Sequence, residues 1–371
     1  MKTNPTAVII GTRGYPSYYG GFETAVRQLA PFLVDAGWDV TVYGREKSVR
    51  RDDPTRDRRV RSVFTRGVES KSASTLSFGL TSVLHAMWRK PSVALVMNVA
   101  NGYWLPLLRL RGIPTVVNVD GIEWEREKWN RLGRAVFKLG ARMTARFAKV
   151  IVCDSIEIAR RWREEFGRES VIIAYGGTFR PRSALPPLGL PSRRYVLFVA
   201  RFVPENSVQQ FLEAVPAIAK QADVVIVGSS GYGGVVDEQV QALSAANPRV
   251  HALGQVSDDD LLFGLWEHAG VYFHGHSVGG TNPALVQAMA CGAPTVARDT
   301  VFNREVLAEH AEFVQPNANE IQEAVLALLS NVGRAEVLSR GAQERAHKEY
   351  SWEKINHSYE TTLREASRRQ S

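Results

Sequence analysis

The sequence predicts an α/β fold built from two Rossmann-like domains with parallel sheets, and three observations support this class. Short apolar runs, separated by segments with helical spacing, occur at 8–10, 40–43, 93–97, 115–119 and 150–152. The same alternation resumes at 195–200, 224–227, 250–253, 271–273, 295–297 and 313–315. Between the two series, the prolines of 179–194 prevent regular structure and predict a hinge. Strands that alternate with helices predict parallel sheets covered by helices on both faces.

The domain boundaries follow from this alternation. We expect an N-terminal domain over 1–180, a proline-rich linker over 181–193 and a C-terminal domain over 194–350. Helical patterns near 318–328, 335–347 and 352–366 close the chain, and we expect 351–371 to pack back on the first domain. Because ligands of such sheets bind at the carboxyl ends of the strands, we expect the two domains to face a central cleft.

Composition indicates a globular protein with an anionic partner. The 371 residues are 44% hydrophobic and carry a net charge of +8, which suits a nucleic acid, a membrane surface or a phosphorylated small molecule. The sequence has no apolar run long enough to span a bilayer and no secretory signal, so we expect a cytoplasmic protein. Cys153 and Cys291 are predicted to be free thiols. His274 and His276 have no further ligand at metal-binding spacing, so no metal site is expected.

The segment 273–292, FHGHSVGGTNPALVQAMACG, predicts a strand, a glycine turn and a helix start in succession. Thr281 or Asn282 can cap this helix, with Pro283 in its first turn. The N–H groups of a helix start point outward with partial positive charge, so the segment predicts a phosphate site. An ordinary strand-to-helix turn is the alternative.

A second glycine-rich loop, GTRGYPSYYGGFET, follows the first predicted strand. It lacks the G-x-G-x-x-G spacing of dinucleotide sites, and no Walker lysine follows. Gly20 and Gly21 stand before a helix and would let a ligand approach the backbone closely. The alternative is a turn that only reverses the chain.

These two loops, together with NVDGIEWEREKW at 118–129 and ARFVPEN at 200–206, resemble the bacterial rhamnosyltransferase-like branch of the family-four retaining glycosyltransferases. The resemblance covers both domains. It implies the GT-B fold and transfer of a sugar from a nucleotide diphosphate donor with retention at the anomeric carbon, without a metal or another cofactor. It also implies that the donor binds mainly to the C-terminal domain and the acceptor to the N-terminal one.

The resemblance assigns donor contacts and also reveals departures from the family pattern. Arg201 matches the arginine that grips the donor diphosphate, whereas the lysine expected five residues later is Asn206. Gly279 and Gln287 stand where many relatives carry two glutamates, and Gln287 is expected to make a weakened or altered contact with the ribose. The diphosphate would then depend on Arg201 and on the loop and helix start formed by Ser277, Gly279, Gly280, Thr281 and Asn282.

The acceptor side offers two carboxylates. Asp120 ends a predicted strand and is the first candidate to orient or deprotonate the attacking hydroxyl, with a turn or cap role as the alternative. Glu123 is the second candidate, and a solvated or salt-bridged side chain is its alternative. His276 is placed either to contact the donor or to serve as an ordinary residue at a strand end. Trp124 and Trp129 can stack on a sugar, lie at a membrane or pack.

The helix after Asp120 carries two stripes at helical spacing. We expect the apolar one to belong to the core, and it comprises Leu132, Val136, Leu139, Met143, Phe147 and Val150. The basic one is a solvated face or, as we prefer, a contact with anionic lipid, and it comprises Arg131, Arg134, Lys138, Arg142, Arg146 and Lys149. Neither it nor the basic loop at 45–61 has the interleaved aromatic residues of a nucleic-acid platform, so no nucleic-acid partner is expected.

The resemblance implies a glycosyltransferase that moves L-rhamnose from a dTDP donor to a lipid-linked saccharide acceptor during synthesis of a cell-surface polysaccharide. We expect it on the cytoplasmic face of the plasma membrane, bound peripherally to an anionic membrane surface. A UDP- or GDP-hexose donor is the close alternative. The departures at Asn206, Gly279 and Gln287 also allow a catalytically weak subunit that binds a nucleotide sugar. A sugar-nucleotide epimerase would have the same two-domain architecture.

Overall fold

The computed structural model describes residues 4–18, 20–69, 74–126, 129–231 and 233–368. Tyr19 of the first glycine-rich loop, residues 127–128 of the 118–129 motif and the end of the chain at 369–371 lie outside this part. The chain forms two compact units, residues 1–175 with 352–371 and residues 176–351. None of the helices in the described ranges combines the length and the apolar character needed to cross a membrane.

The first unit contains a seven-stranded sheet, entirely parallel, in the order β3-β2-β1-β4-β5-β6-β7. Its strands are β1 (Thr6–Ile10), β2 (Asp39–Gly44), β3 (Arg61–Phe64), β4 (Val93–Met97), β5 (Thr115–Asn118), β6 (Val150–Cys153) and β7 (Val171–Ile172). Its helices up to this point of the chain are α1 (Gly21–Asp35), α2 (Ser74–Arg89), α3 (Leu105–Leu110), α4 (Arg131–Phe147) and α5 (Ile156–Phe166). The apolar runs predict every strand except the two edge strands, β3 and β7, which are short and incompletely buried.

The second unit contains a six-stranded parallel sheet in the order β10-β9-β8-β11-β12-β13. Its strands are β8 (Tyr195–Val199), β9 (Asp223–Val227), β10 (Val250–Gly254), β11 (Val271–His274), β12 (Thr295–Arg298) and β13 (Glu312–Val314). Its helices are α6 (Val208–Ile218), α7 (Val235–Ala246), α8 (Asp259–His268), α9 (Pro283–Ala290), α10 (Val301–Leu307), α11 (Ala318–Ser330) and α12 (Val332–Glu349). The predicted class of two parallel-sheet α/β domains is confirmed.

The proline-rich segment is held by the second unit. Ser183 donates its backbone N–H to Glu267 Oε2 at 2.9 Å, and Ser192 Oγ lies 2.9 Å from His268 Nδ1. Arg180 forms an ion pair with Glu267 at 2.7 Å. The unit begins at Gly176, ahead of the predicted boundary at 180, and its contacts include the residues of the predicted linker 181–193.

The last helix, α13 (Trp352–Ser367), belongs to the first unit. It packs against α1, β4 and β5, and its Ile355, Tyr359 and Leu363 are buried in the same core as the first strands. Lys149 Nζ donates to the carbonyl oxygen of Ala366 at 2.9 Å, so this lysine is engaged at the end of α13.

The interpretation of the apolar stripe on α4 as core is wrong for Leu132 and Leu139, whereas Val150 packs against the core of the unit and the other members are partly buried. Leu132 is 73% exposed and Leu139 is 47% exposed, whereas the buried residues of the helix are Gly140, Ala141 and Thr144. The helix lies so close to the 3-10 turn at 99–104 that a Cβ on Gly140 would be 2.6 Å from the carbonyl oxygen of Val99. Because this approach needs small side chains, the helix packs through them and leaves its leucines outside.

Candidate functional site

The second sheet reverses its strand order beside β8, and the loops that follow β8 and β11 carry most of the predicted donor residues. β8 is the first strand of the unit and lies between β9 and β11. In open parallel sheets the ligand site lies at the carboxyl ends of the strands at such a reversal. Arg201, whose side chain is exposed, follows β8, and His276 follows β11.

The loop after β11 ends in the predicted capped helix start. α9 begins at Pro283, and Asn282 Oδ1 accepts a hydrogen bond from the N–H of Ala284 at 2.9 Å. The predicted cap is therefore confirmed, with Asn282 rather than Thr281 as the cap residue. Gly279, Gly280 and Thr281 are buried in front of it. The partial positive charge of the helix start favours an anion at this edge of the sheet.

Asn206, which stands where the resemblance implies a lysine, connects two residues of the predicted site. Its Nδ2 donates to the carbonyl oxygen of Arg201 at 2.8 Å, and its Oδ1 lies 2.6 Å from Nδ1 of His276. Since an amide oxygen can only accept, Nδ1 of His276 donates in this pair. Asn206 is buried, so it fixes the imidazole ring relative to the backbone after β8. Asn206 thus orients His276 by a hydrogen bond, at a position where the resemblance implies the positive charge of a lysine.

Ser207, Gly275 and Arg298 strengthen this connection, and sequence reasoning missed all three. Ser207 Oγ donates to the carbonyl oxygen of Gly275 at 2.8 Å and accepts from Arg298 Nη1 at 3.0 Å. A Cβ on Gly275 would lie 2.3 Å from the carbonyl oxygen of Asn206, so only glycine permits the approach of the two loops. One of the three could have been found from the sequence. Arg298 follows the predicted strand 295–297, and the carboxyl ends of parallel strands meet at the edge of the sheet where ligands bind.

Gln287 has a different role from the predicted one. Its Oε1 accepts from the N–H of Thr178 at 2.9 Å, and its Nε2 donates to the carbonyl oxygen of Thr178 at 2.9 Å. Nε2 also donates to Cys291 Sγ at 3.3 Å. Both N–H groups of the amide are therefore occupied, and the side chain is buried. Gln287 therefore clamps the backbone of Thr178 and has no free N–H group for the ribose, whereas an altered ribose contact through its amide oxygen stays a prediction.

The glycine-rich loop of the first unit is fixed by Glu23. Gly20 precedes α1 in an extended conformation and Gly21 is its first residue. Glu23, in the first turn, is buried, and its Oε1 accepts from the N–H of Arg13 at 2.9 Å. Burial raises the pKa of this carboxyl above its ordinary value. The contact of Gly20 and Gly21 with a donor stays a prediction.

Asp120 is held in a left-handed conformation at the end of β5. Its φ is 61°, and its N–H donates to Asn118 Oδ1 at 2.9 Å. Asn118 in turn donates through Nδ2 to Tyr359 Oη at 2.6 Å, and both residues are buried. The last helix therefore supports the turn that carries Asp120. The carboxylate is partly exposed, and its Oδ2 lies 3.9 Å from Arg126 Nη2. The contact of Asp120 with an acceptor stays a prediction.

Glu123 matches the salt-bridged alternative. The side chain is buried, its Oε1 lies 2.6 Å from Arg126 Nε, and its Oε2 accepts from Trp129 Nε1 at 3.1 Å. With both oxygens engaged, it orders the turn after Asp120. Trp124 is also buried, packed edge-on against Trp162 and Phe166, so packing accounts for it.

Residues 19–178 match the family model described as Glycosyltransferase Family 4, and residues 193–331 match the model described as Glycosyl transferases group 1. The two matches lie in the order that the sequence motifs predict. The chain belongs to the family-four glycosyltransferases and has the GT-B fold. The predicted family is confirmed at this level, whereas the rhamnosyltransferase-like branch stays a prediction.

Curated relatives and solved structures agree with this family. Phosphatidyl-myo-inositol mannosyltransferase of Mycobacterium leprae is 31% identical over 57% of this chain and 59% of its own. O-antigen chain mannosyltransferase B of Escherichia coli is 26% identical over 47% of each chain. The chain thus spans about half the length of the curated relatives that it matches.

Two solved structures share the fold over nearly the whole chain. Sucrose-phosphate synthase of Thermosynechococcus elongatus superposes with a TM-score of 0.79 and 20% identity, covering 97% of this chain and 98% of its own. HepE of Anabaena in complex with UDP-glucose has a TM-score of 0.76 and 17% identity, with 97% and 99% covered.

Proposed function

We propose that this protein is a retaining glycosyltransferase that moves a hexose from a nucleotide diphosphate donor to a lipid-linked saccharide in cell-surface polysaccharide synthesis. The observation that carries the proposal is the cluster at the strand reversal of the second unit, where Asn206 connects Arg201 with His276 of the loop that leads into α9. A diphosphate leaving group gains negative charge as the glycosidic bond breaks, and fixed positive groups stabilise that charge.

The donor contacts are proposed as follows. Arg201 binds the diphosphate through its guanidinium, because a planar fork of donors matches phosphate oxygens. The N–H groups of the loop and helix start, from Ser277 to Asn282, bind the same group. His276, held by Asn206, contacts the donor beside them. Gly279 has no side chain at the position where many relatives carry a glutamate. Gln287 affects the donor site only indirectly, because it holds the backbone of Thr178.

The acceptor is proposed to meet the first unit at Asp120. The carboxylate orients the attacking hydroxyl and accepts its hydrogen bond. The resemblance implies a front-face reaction in which the departing phosphate helps to take the proton, so no covalent intermediate is assigned to Asp120 or Glu123. It also implies that no metal takes part.

The donor sugar has two candidates. The VGGTNP motif resembles the rhamnosyltransferase-like branch, which supports dTDP-L-rhamnose. The two relatives above are named mannosyltransferases, which supports GDP-mannose as the second candidate. Their names also include a phosphatidyl lipid and an O-antigen chain, and this supports a lipid-linked acceptor and a peripheral location on the inner face of the plasma membrane.

The test is incubation of the purified full chain with dTDP-rhamnose, GDP-mannose or UDP-glucose, each with and without a lipid-linked saccharide. We expect one donor to give a glycosylated product only when the acceptor is present. Arg201→Ala should abolish most of this turnover, whereas Arg340→Ala, an exposed arginine on α12, should not. Saturable binding without product would instead favour a nucleotide-sugar-binding subunit, and donor interconversion without acceptor would favour an epimerase.

A further inference from the structure

The glycine-rich loop of the first unit is joined to residues 45–57, which follow β2 and which we call the β2 loop. The N–H of Arg45 donates to the carbonyl oxygen of Arg13 at 3.0 Å. The N–H of Arg50 donates to the carbonyl oxygen of Pro16 at 3.1 Å. The β2 loop, which is part of the basic segment of the sequence, therefore lies along the glycine-rich loop.

Tyr15 anchors the first half of the glycine-rich loop. Its side chain is buried, and its Oη accepts from the N–H of Asp57 at 3.1 Å. Its carbonyl oxygen accepts from Ser62 Oγ at 2.9 Å. The backbones also approach closely at Gly14, whose φ is 123°, since a Cβ there would lie 2.4 Å from Cγ2 of Val49. Packing and backbone hydrogen bonds thus order the loop up to Tyr15.

Tyr18, nearer to the two glycines, is held by side chains of α1 and of the β2 loop. Its Oη donates to Asp53 Oδ2 at 2.7 Å. The guanidinium carbons of Arg27 and Arg50 lie 3.8 and 4.5 Å from the centroid of its ring, a distance at which a cation and an aromatic ring attract each other. Oδ1 of Asp53 accepts from the N–H and from Oγ1 of Thr55 at 2.9 and 2.6 Å, so the carboxylate is itself oriented. We call Tyr18, Arg27, Arg50 and Asp53 the Tyr18 clasp.

The Tyr18 clasp holds the chain on both sides of the glycine turn. Gly20 and Gly21 lie between Tyr18 and Arg27 in the sequence, and Arg27 belongs to α1. Glycine has more backbone freedom than any other residue, so a turn of two glycines gains the most from fixed ends. Tyr18 is only half-buried, and its contacts are polar or charged. The clasp therefore orders a loop and adds little to the hydrophobic core.

We infer that the Tyr18 clasp positions Gly20 and Gly21 for the nucleotide-sugar donor, with Tyr18 as the positioning residue. The inference rests on the proposed function for the identity of the ligand alone. Tyr18 acts through the backbone of the glycine-rich loop and makes no contact with the donor. Part of the basic segment at 45–61 thereby has a role inside the first unit.

The first measurement is amide hydrogen exchange of the full chain. Tyr18→Leu removes the ring and its hydrogen bond, and Asp53→Ala removes only the acceptor, at a half-buried position where folding is not at risk. Each should raise the exchange rates in 11–24 roughly fivefold, because a local opening that breaks one hydrogen bond fewer is favoured by about that factor. Exchange in 277–292 of the second unit should not change.

The matched control is Phe313→Leu in the second unit. The guanidinium carbon of Arg304 lies 4.4 Å from the centroid of the Phe313 ring, so this substitution removes an arginine–ring contact of the same kind. It should leave both the exchange rates in 11–24 and the turnover unchanged.

The second measurement is turnover with a soluble saccharide acceptor. Tyr18→Leu should lower kcat/KM for the donor at least about fivefold, and Tyr18→Phe, which keeps the ring beside both arginines, should lower it less. The affinity for dTDP, GDP or UDP, measured by calorimetry, should not change, because the residues proposed to hold the diphosphate lie in the second unit. The melting temperature should also stay the same. A merely structural role of Tyr18 would instead lower the melting temperature.

The outcomes separate this inference from the proposed function. Unchanged exchange in 11–24 of both Tyr18→Leu and Asp53→Ala would overturn the inference, and so would faster exchange with an unchanged kcat/KM. A fall in melting temperature and nucleotide affinity that accompanies the loss of turnover would overturn the positioning role as well. If the unmodified chain transfers no sugar from any donor, the proposed reaction fails, whereas the exchange rates still confirm or overturn the hold of the clasp on the glycine turn.

Discussion

Replacement of Gln287 distinguishes a backbone clamp from a donor contact. Its amide makes two hydrogen bonds of 2.9 Å to the backbone of Thr178. Gln287→Ala leaves that N–H and that carbonyl without these partners, in a place where the glutamine side chain is 8% exposed. We therefore expect a loss of stability in the second unit rather than a loss of donor affinity.

The size of the effect follows from the two groups that lose their partners. An unsatisfied buried polar group costs about 1–3 kcal/mol, and Thr178 is only half-buried, so water recovers part of this. We expect a decrease of about 2 kcal/mol in the free energy of unfolding. For a unit of this length that corresponds to a fall in melting temperature of roughly 4–8 °C. Gln287→Glu keeps the acceptor but places an oxygen against the carbonyl of Thr178, so it should cost about 1–2 kcal/mol.

The assay pairs thermal unfolding with calorimetric titration of the nucleoside diphosphate. Gln209→Ala, on the exposed side of α6, is the matched control and should change neither quantity. A Gln287→Ala protein with an unchanged melting temperature and strongly weakened nucleotide binding would refute the clamp and restore the ribose contact.

Three further predictions follow from individual contacts. Asn206→Ala should weaken binding of the nucleoside diphosphate roughly tenfold, measured by calorimetry. The substitution removes the hydrogen bonds to His276 and Arg201, each worth about 1 kcal/mol. An affinity equal to that of the unmodified chain would show that these hydrogen bonds have no part in binding. Tyr359→Phe should lower kcat on a soluble acceptor and leave donor affinity unchanged, because it removes the acceptor of the Asn118 amide behind Asp120; a change in donor affinity alone would contradict this route. His274 is buried, and burial lowers its pKa from 6.5 to about 3. The imidazole is therefore protonated in the folded protein only at a much lower pH than in the unfolded chain. The stability that comes from the neutral His274 is complete above pH 6.5 and is lost as the pH falls toward 3. The urea midpoint of His274→Asn should therefore fall less steeply with pH over this window than that of the unmodified chain. Equal slopes for the two proteins would contradict a role of His274 in the pH dependence.

The strands and helix starts are predicted from the sequence because patterns of neighbouring residues determine them. Apolar runs such as 93–97 and 271–273 are long enough to predict buried parallel strands, and Asn282 with Pro283 predicts a helix start without knowledge of the rest. The sequence therefore predicts well those elements whose structure depends on residues close together in the chain.

The failures have a different origin. Gln287 has the spacing of a donor residue, but its partner Thr178 lies far away in the chain, so only the folded backbone reveals the clamp. The apolar stripe of α4 has helical spacing, yet close approach at Gly140 selects another face for burial. Glu123 and Asp120 belong to one motif, and the structure separates them because Glu123 is buried between Arg126 and Trp129 whereas Asp120 is partly exposed. At Gln287 and at α4, a contact between residues far apart in the chain overrides the local pattern.

The anomeric configuration of the product tests the proposed retaining reaction. It is measured by NMR after the purified chain has reacted with its nucleotide sugar and a soluble saccharide acceptor. We expect a new glycosidic bond with the configuration of the donor, and no such product from Arg201→Ala. An inverted product would contradict the proposed reaction. So would a sugar nucleotide altered in the absence of any acceptor.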